Sequence, residues 1–216
     1  MNIFIVHYNK LINRKKNITN QLNNNGLNNY EFVEQYTRDN LNVNDTRIFA
    51  KNVNNANMAI SLSHLYCYKE IVEKYNYGLI LEDDAIFDIH FKNNLINYIN
   101  QLPNNWDMLF LDDCCNFHIP NAIKTKNIYK KNLNANSLGG GLGATRGAGC
   151  YLVSKKCATK ITYNVETYYY NGGYKIDDPI DLWLNKVFRR NNFNIYWAEP
   201  TISTQGTENG TYKTSH

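Results

Sequence analysis

The sequence predicts an α/β fold: a central, largely parallel sheet flanked by helices. Three observations predict it. Residues 3–6 are a continuous apolar run, residues 11–22 carry a helical pattern, and residues 30–33 form a second short strand. Strand, helix, strand at the start of a chain is the pattern of a βαβ unit. A second aliphatic run, Gly78-Leu79-Ile80-Leu81, stops abruptly at Glu82-Asp83-Asp84, as a buried strand does when it reaches a polar edge. Further apolar runs lie at 106–111 and 149–153, the first preceded and the second followed by a helical segment.

The elements follow in order. The first helix, over residues 11–22, carries Leu11, Ile12, Ile18 and Leu22 among polar and basic residues, and Gly26 is placed to end it. Residues 37–57 are Asn-rich and lack a period, which predicts a loop with a weak helix near 45–51. Residues 57–74 carry a broad helical face of Met58, Ile60, Leu62, Leu65, Tyr68 and Ile71, leading into the strand of the acidic triplet. Residues 91–99 predict a helix closed by Pro103, and residues 106–111 a strand ending in Asp112-Asp113. Ile128-Tyr129 reads as a short strand, and Gly139 to Gly143 as a glycine-rich connector without the lysine of a phosphate loop. A strand at 149–153 runs into a helix capped by Ser154. Asn171-Gly172-Gly173 reads as a turn. Asp177-Asp178-Pro179 opens a helix, residues 193–197 alternate like a last strand, and the tail from residue 203 is polar. Trp183 and Trp197 read as core.

Composition bounds the function. The chain has 216 residues, 43% hydrophobic and 19% charged, which predicts one globular domain over residues 1–216. The net charge of +4 is spread over small basic clusters, with no stripe suited to nucleic acid. Five cysteines include no CxxC pair, which predicts reduced thiols and a cytoplasmic setting (host cytoplasm for a viral source). Nothing at the N-terminus reads as a signal peptide, and no apolar run approaches the ~20 residues of a membrane span.

The chemistry centres on the acidic triplet. Three adjacent carboxylates are costly to ionise together unless a cation sits among them. Hard divalent ions take oxygen ligands, commonly one or two carboxylates plus substrate phosphates. Asp84 is the first candidate ligand. Glu82 alternates to the same face by the strand period and is the second, or a ribose contact. Asp83 points the other way and is assigned to donor binding.

Several stretches together resemble glycosyltransferase family 25, which includes lipopolysaccharide and procollagen galactosyltransferases. Leu62-Ser63-His64 precedes Leu79-Ile80-Leu81-Glu82-Asp83-Asp84-Ala85, and Gly147-Ala148-Gly149-Cys150-Tyr151-Leu152-Val153-Ser154 follows. Pro179-Ile180-Asp181, Pro200 and Gln205 come in the order the family has them. Departures are His7-Tyr8-Asn9 with a later Arg14, Ala59-Ile60 before the Leu-Ser-His, and Asp112-Asp113 where a Leu-Gly is usual.

The resemblance implies a GT-A-like fold with a mixed, mostly parallel sheet. It implies transfer of a hexose, galactose or glucose, from a UDP-sugar to a hydroxyl of a glycan, glycolipid or protein, with inversion and with Mn²⁺ or Mg²⁺. His7, Arg14 and His64 join Asp83 as expected donor-site residues, His64 by positioning the acidic loop. Asp181 is the expected general base, with Asp178 its rival, and a helix start is expected to keep that carboxylate ionised. His216 is a conceivable further metal ligand. Two other readings compete: an inactive domain of the same fold that binds nucleotide-sugar or glycan, and a metal-dependent phosphohydrolase.

Overall fold

The computed structural model describes residues 1–133, 145–170 and 175–214, leaving out the glycine-rich connector, the turn at residues 171–173 and His216. The chain opens with strand β1 (Asn2–Val6), helix α1 (Ile12–Asn24) and strand β2 (Tyr30–Val33), with β1 and β2 parallel. Gly26, at φ +60°, ends α1. Its N–H bonds to the Asn23 carbonyl and the Leu27 N–H to that of Leu22, which closes the helix end with two reciprocal backbone bonds.

A one-turn helix α2 (Val43–Thr46) interrupts the Asn-rich loop. Helix α3 (Asn55–Lys74) is capped by the Asn54 side chain, which accepts from the Asn57 N–H. It delivers the chain into β3 (Tyr77–Glu82), then β4 (Ala85–Phe87) and α4 (Phe91–Gln101). Strands β5 (Met108–Phe110), β6 (Ile128–Lys130) and β7 (Cys150–Ser154) follow. Helix α5 (Lys155–Tyr170) starts where Ser154 Oγ accepts from the Cys157 N–H. Helix α6 (Ile180–Asn191), β8 (Ile195–Ala198) and β9 (Ser203–Gln205) complete the order.

The main sheet has the order β2-β1-β3-β7-β5-β8-β6. Among the described residues β6 and β7 run against the other strands, so the sheet is mixed although most of its strands point one way. The inverted β7 sits at the centre, between β3 and β5. The period-two alternation of each strand sorts its side chains between two cores. Phe4, Ile80, Phe110, Tyr151 and Trp197 meet α3, α5 and α6 on one face. Ile3, Ile5, Leu79, Leu81, Leu109 and Leu152 meet α1 and α4 on the other. Trp183 and Trp197 are both in the core.

The tail departs from the sequence expectation. β9 pairs antiparallel with β4, matching Ala85 to Gln205 and Phe87 to Ser203. Its side chains are short and polar because it forms a small separate ribbon at the edge of the cleft.

Candidate active site

Parallel neighbours in register bring the ends of β1 and β3 together, with Val6 opposite Glu82. The residues just beyond, His7 and Asp83, therefore meet. Asp83 is 6% exposed, and its own chain engages both of its oxygens. Oδ1 accepts from Arg14 Nη1 at 2.9 Å, while Oδ2 lies 2.7 Å from His7 Nδ1 and accepts from the Tyr8 N–H at 3.3 Å. Arg14 also donates through Nη2 to the Lys213 carbonyl at 2.7 Å and stacks over Tyr212 at 5.1 Å. Asp83, His7 and Arg14 thus form a buried knot that ties β1, α1 and the C-terminal segment to the acidic turn.

The knot carries a stability prediction. Removing one partner of a buried pair leaves the other charge uncompensated, at a cost of about 3 kcal/mol. Arg14→Ala is expected to lower the unfolding free energy by about that amount, discounted for the His7 contact that Asp83 keeps. Urea denaturation followed by circular dichroism measures it, and a loss below about 1 kcal/mol would show that the knot is not strongly coupled to folding.

Glu82 and Asp84 are not tied up in this way. Glu82 projects from the face of β3 that carries Ile80, toward α3. His64 Nε2 lies 3.4 Å from its Oε1, and the Glu82 side chain is 23% exposed. Asp84 lies just past the strand end. Its Oδ2 accepts from the Thr207 hydroxyl at 2.5 Å, and its carbonyl accepts from the Gly206 N–H at 2.8 Å. Its Oδ1 is buried with no hydrogen-bond partner. Burial, then the neighbouring Glu82 charge, push the Asp84 carboxyl up to about 6, against the Thr207 hydrogen bond.

Asp112 adds a carboxylate that sequence reasoning flagged only as a departure. It is wholly buried at the end of β5, and neither of its oxygens has a hydrogen-bond partner. Burial drives its carboxyl well above the usual range; Arg146 opposes the rise, and Glu82, Asp113 and Asp84 add to it. Burial therefore disfavours its charged form. A Cβ on Gly149 would stand 2.6 Å from Asp112 Oδ2 and 2.5 Å from Gln205 Nε2, so a larger residue there would have to displace these side chains.

A cleft with about 630 Å³ of open space is lined by Glu82, Asp83 and Asp84, with Arg14, Gln205 and Thr207 on its walls. A more apolar slot adjoins it, sharing Val6, Tyr8 and Ile60 and adding Tyr36, Thr37, Arg38 and Ser63. The Arg38 guanidinium lies 4.4 Å from the Tyr8 ring centroid, and the Tyr8 hydroxyl donates to Asp39 at 2.5 Å. The slot was not legible in the sequence because residues 36–38 come from a loop without period.

Asp181 is the second residue of α6, partly buried, and close enough for Glu82 to raise its carboxyl. Burial is the largest cause and outweighs the backbone N–H groups of Asp181 and Leu182 at the helix start. Desolvation therefore raises this carboxyl despite its place at the helix start. Asp178 pairs with Lys186 Nζ at 2.5 Å, which Asp177 also contacts at 3.0 Å. Neither aspartate caps α6 through its side chain.

Among the described residues no three His, Cys, Asp or Glu side chains form a ready ligand set, and no helix is long and apolar enough to cross a membrane.

No curated protein matches the chain. Three solved structures align with it at low identity. The crystal structure of galactosyltransferase LgtC in complex with donor and acceptor sugar analogs gives 13% identity, 92% of this chain, 73% of that chain and a TM-score of 0.47. A glycosyltransferase involved in the glycosylation of the major capsid of PBCV-1 gives 11%, 94%, 91% and 0.42. A197 from STIV gives 12%, 91%, 81% and 0.37. The model of glycosyltransferase family 25, described as an LPS biosynthesis protein, matches residues 1–180, which carry β1, the acidic turn, β7 and the approach to α6. On that match, over a sheet of mixed α/β architecture with an acidic cleft at its edge, the chain belongs to glycosyltransferase family 25.

Proposed function

We propose that this glycosyltransferase moves a hexose, galactose or glucose, from a UDP-sugar to a hydroxyl of a glycan, glycolipid or protein, with inversion and with a divalent cation. One observation carries the reading: the slot walled by Tyr8 and Tyr36 shares Val6, Tyr8 and Ile60 with the cleft lined by Glu82 and Asp84. A planar base in the slot would place its diphosphate beside the carboxylates.

The residues suit a hard cation. Asp84 Oδ1 is buried and unpartnered, and Glu82 is partly exposed beside it. Two carboxylates, completed by diphosphate oxygens and water, make a normal oxygen set for Mn²⁺ or Mg²⁺. Such an ion, when bound, neutralises charge on the departing diphosphate. The chain's own residues do the rest. Tyr8 and Arg38 offer the base a stacking wall. Asp83, anchored by His7 and Arg14, holds the turn that presents Glu82 and Asp84. Asp181, its carboxyl raised by burial, accepts the acceptor hydroxyl's proton as that oxygen attacks the anomeric carbon. The bond from that carbon to the diphosphate breaks on the opposite side, which inverts its configuration.

The reading predicts mutual dependence of nucleotide and cation. UDP with Mn²⁺, each at a hundred times its dissociation constant, is expected to raise the melting temperature by about 5 °C, and UDP with EDTA by much less. UDP release from UDP-galactose and UDP-glucose, with NMR of the anomeric proton in the product, tests donor and stereochemistry. A retained configuration would remove Asp181 as base. The inactive binding domain is the second reading, and Thr207 favours it by occupying an Asp84 oxygen that a cation would use. Nucleotide binding without UDP release would select it.

A further inference from the structure

Beneath Glu82 runs a buried chain of hydrogen bonds that the proposed chemistry does not itself require. Tyr68 Oη lies 2.7 Å from Tyr151 Oη, Tyr151 Oη lies 2.7 Å from His64 Nδ1, and His64 Nε2 lies 3.4 Å from Glu82 Oε1. Tyr68, His64 and Tyr151 are all fully buried. Sequence spacing explains the assembly. His64 and Tyr68 stand four residues apart on α3 and so share a face. Tyr151 pairs with Ile80 across β3 and β7, which puts it on the same sheet face as Glu82. The His64 and Tyr151 rings stack, with centroids 5.7 Å apart and planes 19° apart.

The chain has a direction. The Glu82 carboxylate only accepts, so the ring nitrogen facing it must carry the proton. With a single ring proton, placed on Nε2, His64 presents a lone pair at Nδ1, which the Tyr151 hydroxyl fills by donating. Tyr151 in turn accepts from Tyr68. The opposite order would set an imidazole lone pair against a carboxylate in a buried place and leave an acceptor unsatisfied. In that tautomer every hydroxyl and ring proton of the chain points toward the cleft.

We propose that Tyr68, Tyr151 and His64 are positioning residues. They fix His64 as an Nε2–H donor that holds the Glu82 carboxylate in the orientation facing the cleft. The inference rests on the reading of Glu82 as a cation ligand, and it adds a supporting shell behind that ligand. Donors behind a ligating carboxylate orient it, and their loss weakens metal binding.

The test uses the full chain. Histidine labelled with ¹⁵N, with His64 assigned by loss of its signals in His64→Gln, is expected to show a protonated Nε2 and a bare, hydrogen-bonded Nδ1. Tyr151→Phe removes one hydroxyl and keeps the ring. It is expected to weaken Mn²⁺ binding, read from the electron paramagnetic resonance of free Mn²⁺, by about tenfold. Tyr68→Phe, which leaves Tyr151 able to donate, is expected to bind Mn²⁺ nearly as the wild type does. A wild-type His64 protonated on Nδ1, or a Tyr151→Phe protein that binds Mn²⁺ as tightly as the wild type, would overturn the inference. Wild-type protein that ignores Mn²⁺ would instead defeat the cation reading, and the tautomer would still decide whether His64 donates to Glu82. The tautomer is read on the unaltered protein, so a poorly folding variant does not block the test.

Discussion

Asp84→Ala is expected to lower cation-dependent transfer by more than about 10²-fold while the protein stays folded. Two effects on stability oppose each other. Thr207 loses its acceptor, at a cost of about 1 kcal/mol. Removal of a carboxyl that burial and Glu82 both hold against ionisation offsets that loss. Circular dichroism of the variant should match the wild type, and sugar transfer at saturating Mn²⁺ should be absent. Activity within tenfold of wild type would remove Asp84 as a ligand.

The same carboxyl sets a pH dependence. Its folded value, about 6, lies above the ordinary 3.8, so the folded cation-free chain holds this proton more tightly than the unfolded chain does. The associated stability is present at low pH and is lost as pH rises through about 6. A cation must displace that proton. The rise in melting temperature on adding Mn²⁺ is therefore expected to grow between pH 5 and pH 7.5, centred on about 6. In Asp84→Ala any remaining rise should lose this dependence.

The second large effect is expected at Asp181. Asp181→Asn keeps the shape of the side chain and removes its capacity to take a proton. Turnover should fall by about 10²- to 10⁴-fold, with UDP affinity unchanged. Burial and Glu82 raise this carboxyl, so the acid limb of the wild-type rate profile should lie above the ordinary carboxylate range and vanish in the variant. UDP affinity by calorimetry separates the outcomes. Weakened binding with intact turnover would make Asp181 a donor contact. Asp178, held by Lys186, is the internal comparison, and Asp178→Asn should leave turnover near wild type.

Much of this architecture was legible beforehand because it depends on periodicity. Runs such as residues 3–6 and 79–81 can be buried on both sides only within a sheet covered by helices, and the two cores show that arrangement. The acidic triplet was legible for a related reason: charge that ends an aliphatic strand must lie at a polar edge. Asp83 turning away from Glu82 follows from the two-residue repeat of the strand. The tail was misjudged because β9 is short and polar, and its pairing with β4 is set by partners more than a hundred residues away. Thr207 on Asp84 and Lys213 on Arg14 are contacts of the same kind.

The sequence by itself determined the layered α/β plan, the edge where carboxylates gather, and the family. Local pattern is enough for these, since burial and repeat length are properties of neighbouring residues. Tertiary structure alone decided which carboxylates stay available. Asp83 is tied to His7 and Arg14, Asp178 is held by Lys186, Asp112 is sealed in without a hydrogen-bond partner, and Glu82 and Asp84 face the cleft. The reason is physical: desolvation and pairing depend on groups distant in the chain, and those forces set the charge each acid carries.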